Sequence, residues 1–396
     1  QRGVMFRNAA ILLALTLLVG ACTTNEDEAR GDGRLVTIDE AGNVVTLEPD
    51  GTDIVVVADD GGGRVTYFQP IWSPDGSSIS ATRSEAGTFS TEIIDADTGE
   101  RTSTVTASNA FFQYWSPDGS KLATLAVAAP GELGLDLFTI GEGGDPVRVA
   151  DGQPLYFSWS PDSANVVGHV GNAPLELLLA DADSPDFGAP GSFPAPQWTE
   201  DGIIHIVLAS RRQQLTRTRF DGESEPIAST LGGAIFTATP DGQHIAVLPA
   251  ATDDVGFSVN AQQIPALPGG RLVVVDADEG SFVEVESETV AAFSWDPTGR
   301  RLLALELTET GAFRWRVWED GETEVFADFV PAPGFLRDFV PFFDQYAQSM
   351  TLWSPDGTAF AYPGSVGGVT GIWRQDLAGG DPIRVAGGTW VAWSSD

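Results

Sequence analysis

Five residues, Trp-Ser-Pro-Asp-Gly, recur along this chain and fix what it can become. Intact copies stand at Trp72–Gly76, Trp115–Gly119 and Trp353–Gly357. Worn copies begin at Trp159, Trp198, Ala238 and Trp295, and a cut-off copy begins at Trp393, three residues before the end. Successive copies are 43, 44, 39, 40, 57, 58 and 40 residues apart. A period near 40 with a recurring aromatic-plus-turn signature marks a repeat architecture rather than a set of unrelated domains.

Each motif has a local physical meaning. Ser-Pro-Asp-Gly suits a type I turn, with Ser first, Pro supplying its preset φ second, and Gly fourth. The preceding Trp ends a strand and is large enough to wedge between neighbouring sheets. Trp72, Asp75, Trp115, Asp118, Trp159, Asp162, Trp295, Trp353, Asp356 and Trp393 therefore read as structural turn residues, and the aspartates as turn formers rather than catalysts.

Between motifs the chain shows four short apolar runs per interval. In the first interval they are 78–83, 90–94, 101–106 and 110–115; in the second, 121–128, 135–140, 146–150 and 155–159. Strands of this length separated by Gly- and Asp-rich turns indicate an all-β protein. Four strands in about 40 residues indicate a β-propeller. With the strand that ends in Trp labelled a, the C-terminal run 389–393 is an a without partners. The N-terminal runs 35–39, 44–47 and 54–58 are b, c and d without an a. Pairing the two fragments closes the ring and leaves eight blades. Seven is the alternative, if the weak units at Trp198 and Ala238 merge or one does not form.

The repeat units resemble the TolB-like (WD40-like, PD40) propeller repeat over essentially all of residues 34–396. That resemblance implies the propeller fold. The family's namesake also has a separate α/β domain and six blades, and this chain departs from it in both respects.

The N-terminus carries a different signal. Arg2 and Arg7 precede an apolar run of eleven residues, Ala9–Val19, followed by Val19-Gly20-Ala21-Cys22. The run is too short for a comfortable membrane span and suits a signal peptide. The last four residues resemble the bacterial lipobox, which implies cleavage before Cys22, lipidation of that residue and an extracytoplasmic, membrane-anchored lipoprotein of the cell envelope. The expected organisation is a signal peptide over 1–21, a flexible acidic tether over 22–33 and one propeller domain over 34–396. Stretched out, the tether would reach about 35–40 Å.

Charge narrows the partners. The chain carries 21 basic and 56 acidic residues, a formal net charge of −35. Such a surface repels nucleic acid and anionic headgroups. The expected partners are the membrane, through the lipid anchor, and an envelope protein or peptide; a monomer is expected.

Catalytic signatures are missing. The sequence has no Gly-x-Ser-x-Gly elbow, no phosphate loop and no His-Glu-x-x-His. Its three histidines, His169, His205 and His244, fall in different units, the last two on predicted strands b, and read as packed or rim residues. Asp95-Ala96-Asp97-Thr98-Gly99 and Asp276-Ala277-Asp278-Glu279-Gly280 resemble the start of a calcium loop but lack its later ligands. Turns are the expected role, calcium the alternative, and no other cofactor is expected.

Two long intervals hold the best functional signal. One excess is Ala251–Gly270, between strands b and c. The other is Pro331–Ser349, read as lying between a strand d and the next strand a. Both belong to the end of the propeller opposite the Trp-Ser-Pro-Asp-Gly turns. The second holds Phe335, Arg337, Phe339, Phe342, Phe343 and Tyr346, with Pro341 suited to open a short helix. Its aromatics either plug the channel mouth and pack on a neighbouring blade, or form a partner surface to which Arg337, Asp338 or Asp344 add polar specificity. The expected function is a protein- or peptide-binding module; the alternative is a propeller hydrolase or lyase with its site in the central channel.

Overall fold

The computed structural model describes residues 33–105, 110–140, 146–179, 184–251 and 266–395. The segment read as a signal peptide, Cys22, nearly all of the expected tether and most of the first insertion lie outside these residues.

Eight antiparallel sheets follow one another around a ring. Blade 1 is the closing blade. Its innermost strand, Val391–Trp393, pairs with Leu35–Ile38, and the sheet continues outward through Val44–Leu47 and Val55–Ala58. The register Leu35↔Trp393, Val36↔Ala392, Thr37↔Val391 joins the two ends of the chain. Blades 2 and 3 run over Val65–Val105 and Ala110–Gly152 with four strands each, close to the intervals read from the sequence. Blades 5 and 6, the weak units, form separate four-stranded sheets that begin at Gln197 and Ala234. Blade 4 has three described strands, Leu155–Trp159, Val166–Val170 and Glu176–Leu177. Blade 7 spans Thr289–Val325 and blade 8 Val330–Ala386.

Burial explains the strand composition. A second strand such as Lys121–Ala129 is covered on both faces by adjacent blades, so Leu122–Ala126 is one continuous buried run. This is the pattern expected where a sheet is packed on both sides. The outermost strand of the same blade, Val147–Gly152, has no fully buried residue.

The motif builds both a turn and a seam. In blade 2, Gly76 N donates to Ser73 O at 3.0 Å and Gly76 has φ +64°. The Ser73 hydroxyl donates to Asp75 at 2.6 Å and accepts from Ser78 N at 2.9 Å. The same reciprocal set forms at Ser116/Asp118, Ser160/Asp162, Thr239/Asp241 and Ser354/Asp356. The Ser116 hydroxyl, with the N–H and hydroxyl of Ser120, holds Asp118 well below the usual carboxylate range. At Asp296 the roles are exchanged: the carboxylate stands first and receives Thr298 Oγ1, Arg300 N and Arg301 N. The Trp198 copy, without the proline, closes as a two-residue hairpin instead, with Thr199 opposite Gly202.

The tryptophans lie between blades. Trp72 Nε1 donates to Ala392 O, Trp159 Nε1 to Tyr114 O and Trp295 Nε1 to Thr237 O, each onto the inner strand of the preceding blade. A buried indole N–H needs such a partner, and at these three positions the neighbouring blade supplies it.

Candidate functional site

An inner strand in a propeller turns one edge toward the central channel, and backbone groups on that edge need partners. In this chain the second insertion supplies them. It does not lie between strands d and a, as expected, but interrupts strand a of blade 8. Val330–Pro331 pairs with Ser365 and Gly364, the chain leaves as a helical segment, and it returns where Trp353 bridges Phe360. The physical reason is that the inner strand borders the channel, so a segment emerging from it enters the channel directly.

The segment comprises a π-helical turn, Phe335–Phe339, a 3-10 turn, Val340–Phe342, and one α-helical turn, Phe343–Tyr346. Pro341 sits in the first positions of the middle turn. Phe335, Phe339, Phe343 and Tyr346 are buried. Phe343 packs against Phe293 of blade 7 at 4.7 Å between ring centroids, and Tyr346 against Phe112 of blade 3 at 4.8 Å. Phe339 stacks on Phe335 and meets Trp390 at the entry to the inner strand of blade 1.

Polar side chains complete the plug. Gln345 accepts from Phe157 N and donates to Phe157 O, both at 2.8 Å, and so imitates one rung of a β-ladder on blade 4. Tyr346 Oη accepts from Gln69 Nε2 at 2.6 Å on blade 2 and donates to Phe111 O at 3.3 Å on blade 3. Asp344 accepts from Ala195 N at 2.7 Å and Gln348 donates to Pro196 O, both at the entry to blade 5. The short helix also touches the inner strand of blade 6. The plug thus reaches all seven other blades. Burial pushes the Asp344 carboxyl up, against the opposing hydrogen bond from Ala195 N.

Two of the six predicted surface residues remain outside. Phe342 is 44% exposed, and Arg337, paired with Asp338, has a side chain 70% exposed. They border a groove of about 370 Å³ between the plug and blades 2 to 4, lined also by Phe111, Leu133, Pro154 and Tyr156. Leu133 follows a b–c hairpin and Pro154 a d–a connection, so the groove opens at the end opposite the motif turns. At the turn end a second cavity of about 300 Å³ lies between Met350, Trp72, Trp115, Trp393 and the rim prolines Pro74 and Pro117.

The remaining sequence candidates lie elsewhere. His169, His205 and His244 stand on the second strands of blades 4, 5 and 6, not on the channel-lining strands. His169 and His205 are buried, and desolvation lowers them to about 4 and about 3. Asp95 and Asp276 receive backbone N–H groups within their own turns. Asp97 pairs with Arg34, and Asp278 with Arg217. Among the described residues no group of three or more His, Cys, Asp or Glu side chains is arranged to hold a metal ion. Gln69, Asp344, Gln345 and Gln348 were not distinguished by the sequence as plug anchors; a polar residue in an aromatic insertion carries no local sign that its partner is a strand from another blade.

No protein-family model matches the chain, and no curated protein matches it. Among solved structures it is similar to one titled as the eukaryotic initiation factor, at 11% identity and a TM-score of 0.55, covering 91% of this chain and 98% of that one. It is also similar to TolB from Acinetobacter baumannii, at 15% identity and a TM-score of 0.41, covering 74% of this chain and 62% of that one. A third is the β-propeller domain of the Trilobed protease from Pyrococcus furiosus, at 12% identity and a TM-score of 0.48, covering 82% of this chain and 98% of that one. The chain thus spans less than two thirds of the TolB chain's length. At these identities the likeness is one of fold: the protein is an eight-bladed β-propeller closed by its C-terminal strand.

Proposed function

We propose that this chain is a lipid-anchored, extracytoplasmic binding module of the bacterial cell envelope, engaging a protein or peptide at the plug end of the propeller. The filled channel carries this reading. The polar plug residues Asp344, Gln345 and Gln348 are engaged by backbone groups of blades 4 and 5, and among the described residues the groove beside Phe342 and Arg337 remains as a contact surface at that end. Aromatic and arginine side chains at a rigid surface are the usual anchors of an interface.

The start of the described domain supports the geometry. Arg34 donates to Gly76 O, pairs with Asp97 and lies over the Trp72 ring, all at the turn end. A tether attached there leaves the groove facing away from the membrane.

The test places a photo-crosslinking residue at position 342 of the full chain in bacterial envelopes, with position 220 at the other end as the control. The expected result is one dominant adduct specific to position 342. Equal capture at both positions, or none, overturns the reading.

A further inference from the structure

We infer that the groove takes an extended peptide segment presenting one apolar side chain beside a basic residue, a ligand class that rests on the binding function proposed above and narrows it. Three observations converge on that occupant. The groove, about 370 Å³, lies within the size range of ligand pockets and is lined mainly by apolar groups, with Phe342 and Phe111 left 44% and 39% exposed. Isolated exposed apolar residues are ordinary, but two large aromatics on one groove form a seat for an apolar side chain.

The floor of that seat is already fixed. Tyr346 is held by Gln69 and Phe111, and Gln345 by both backbone groups of Phe157. A ligand therefore meets a surface whose ordering cost has been met within the fold.

Charge selects the rest. Arg337 and Asp338 form an exposed pair at the rim, the kind that water and a competing ion exchange readily. The chain as a whole carries −35. Its field draws in cationic segments and repels acidic ones. A basic residue of the incoming peptide meets Asp338 and displaces Arg337 from it, while its apolar neighbour enters between Phe342 and Phe111.

The test uses a fluorescent acetylated Gly-Ser-Phe-Arg-Gly-Ser amide, titrated with the full chain and read by fluorescence polarisation. Companion peptides carry Ser for Phe or Glu for Arg. The Phe-Arg peptide is expected to bind at least about tenfold more tightly than either companion. Phe342→Ala should weaken it about tenfold, and Asp338→Asn should weaken it about threefold and flatten its salt dependence. Phe220→Ala, on an exposed ring at the turn end, should leave it unchanged.

Phe342 is exposed, so its variant should fold; the melting curve checks this, and Phe342→Gln serves as the second variant. Equal binding of the Glu peptide, or an unchanged affinity in folded Phe342 variants, overturns the inference. So does saturation of the groove by a fatty acid or by a second copy of the chain in preference to peptide. If no peptide binds but position 342 still captures one partner in envelopes, the inference falls and the binding function stands. If both fail, both fall.

Discussion

Acidification to pH 4.5 is expected to cost this propeller about 5 kcal/mol, through two histidines that no charged partner compensates. His169 and His205 sit on the second strands of adjacent blades, each about 1% exposed. His205 Nε2 has Thr218 Oγ1 at 2.8 Å, whereas neither ring nitrogen of His169 has a hydrogen-bond partner. Burial lowers His169 from 6.5 to about 4 and His205 to about 3. A histidine depressed in the fold is protonated first in the unfolded chain. Its contribution is complete above pH 6.5 and is lost as the pH falls toward the folded value. Between pH 6.5 and 4.5 each group loses roughly 2 pKa units of differential binding, on the order of 2–3 kcal/mol, which gives the total. That is a large share of a folding stability of about 5–15 kcal/mol.

The assay is denaturant unfolding at pH 7.5, 6.0 and 4.5, comparing the native chain with His169→Phe. The substitution breaks no hydrogen bond and removes one titrating group, so the acid loss should fall to roughly half, about 3 kcal/mol. Asp344, whose carboxyl is raised by burial, works in the opposite direction, gaining stability as the pH falls. It is common to both proteins, so the difference between them reports the loss of His169 together with the relief of its coulombic effect on His205. Equal stability of the native chain at pH 7.5 and 4.5, or a His169→Phe chain that keeps the whole loss, refutes the reasoning.

Further outcomes follow from the plug, the closure and the N-terminus. Gln345→Leu leaves the N–H and C=O of Phe157 without partners in the channel and should cost about 2–4 kcal/mol in denaturant unfolding. Trp353→Ala empties a site with 0% exposure and should cost about 3–5 kcal/mol, read as a lowered unfolding midpoint. Deleting residues 389–396 removes the strand paired with Leu35–Thr37 and should sharply lower the melting temperature; an unaltered curve would argue against closure as a source of stability. Cys22→Ala should block lipid labelling and release the protein from membranes, and unchanged labelling would sink the anchor.

The repeat was legible because its determinants are local. A Ser or Thr hydroxyl, a proline φ, an Asp and a glycine at positive φ complete the turn within six residues, so the sequence predicts it wherever those residues stand together. The tryptophan is separable from it, since the Ala238 copy makes the full turn without one. The closure was also legible, because unmatched strands at the two ends of a ring have one mutual solution. The candidate site was only half legible. The aromatics of the second insertion announced a special segment, but one buried face and one exposed face look alike in a string of Phe and Tyr.

The sequence by itself determined the all-β class, a ring of eight or seven units and most of the turns within them, because these rest on interactions between residues close in the chain or on counting a period; the separate sheets of blades 5 and 6 decided for eight. Only the tertiary structure decided where the second insertion goes and what its polar residues do. Gln345 and Phe157 are 188 positions apart, and Gln69 and Tyr346 are 277. Their pairing depends on the ring bringing the inner strands around one channel. The same closure buries Phe335, Phe339, Phe343 and Tyr346 and leaves Phe342 and Arg337 at the rim, so the division between plug and surface belongs to the ring and not to any local pattern.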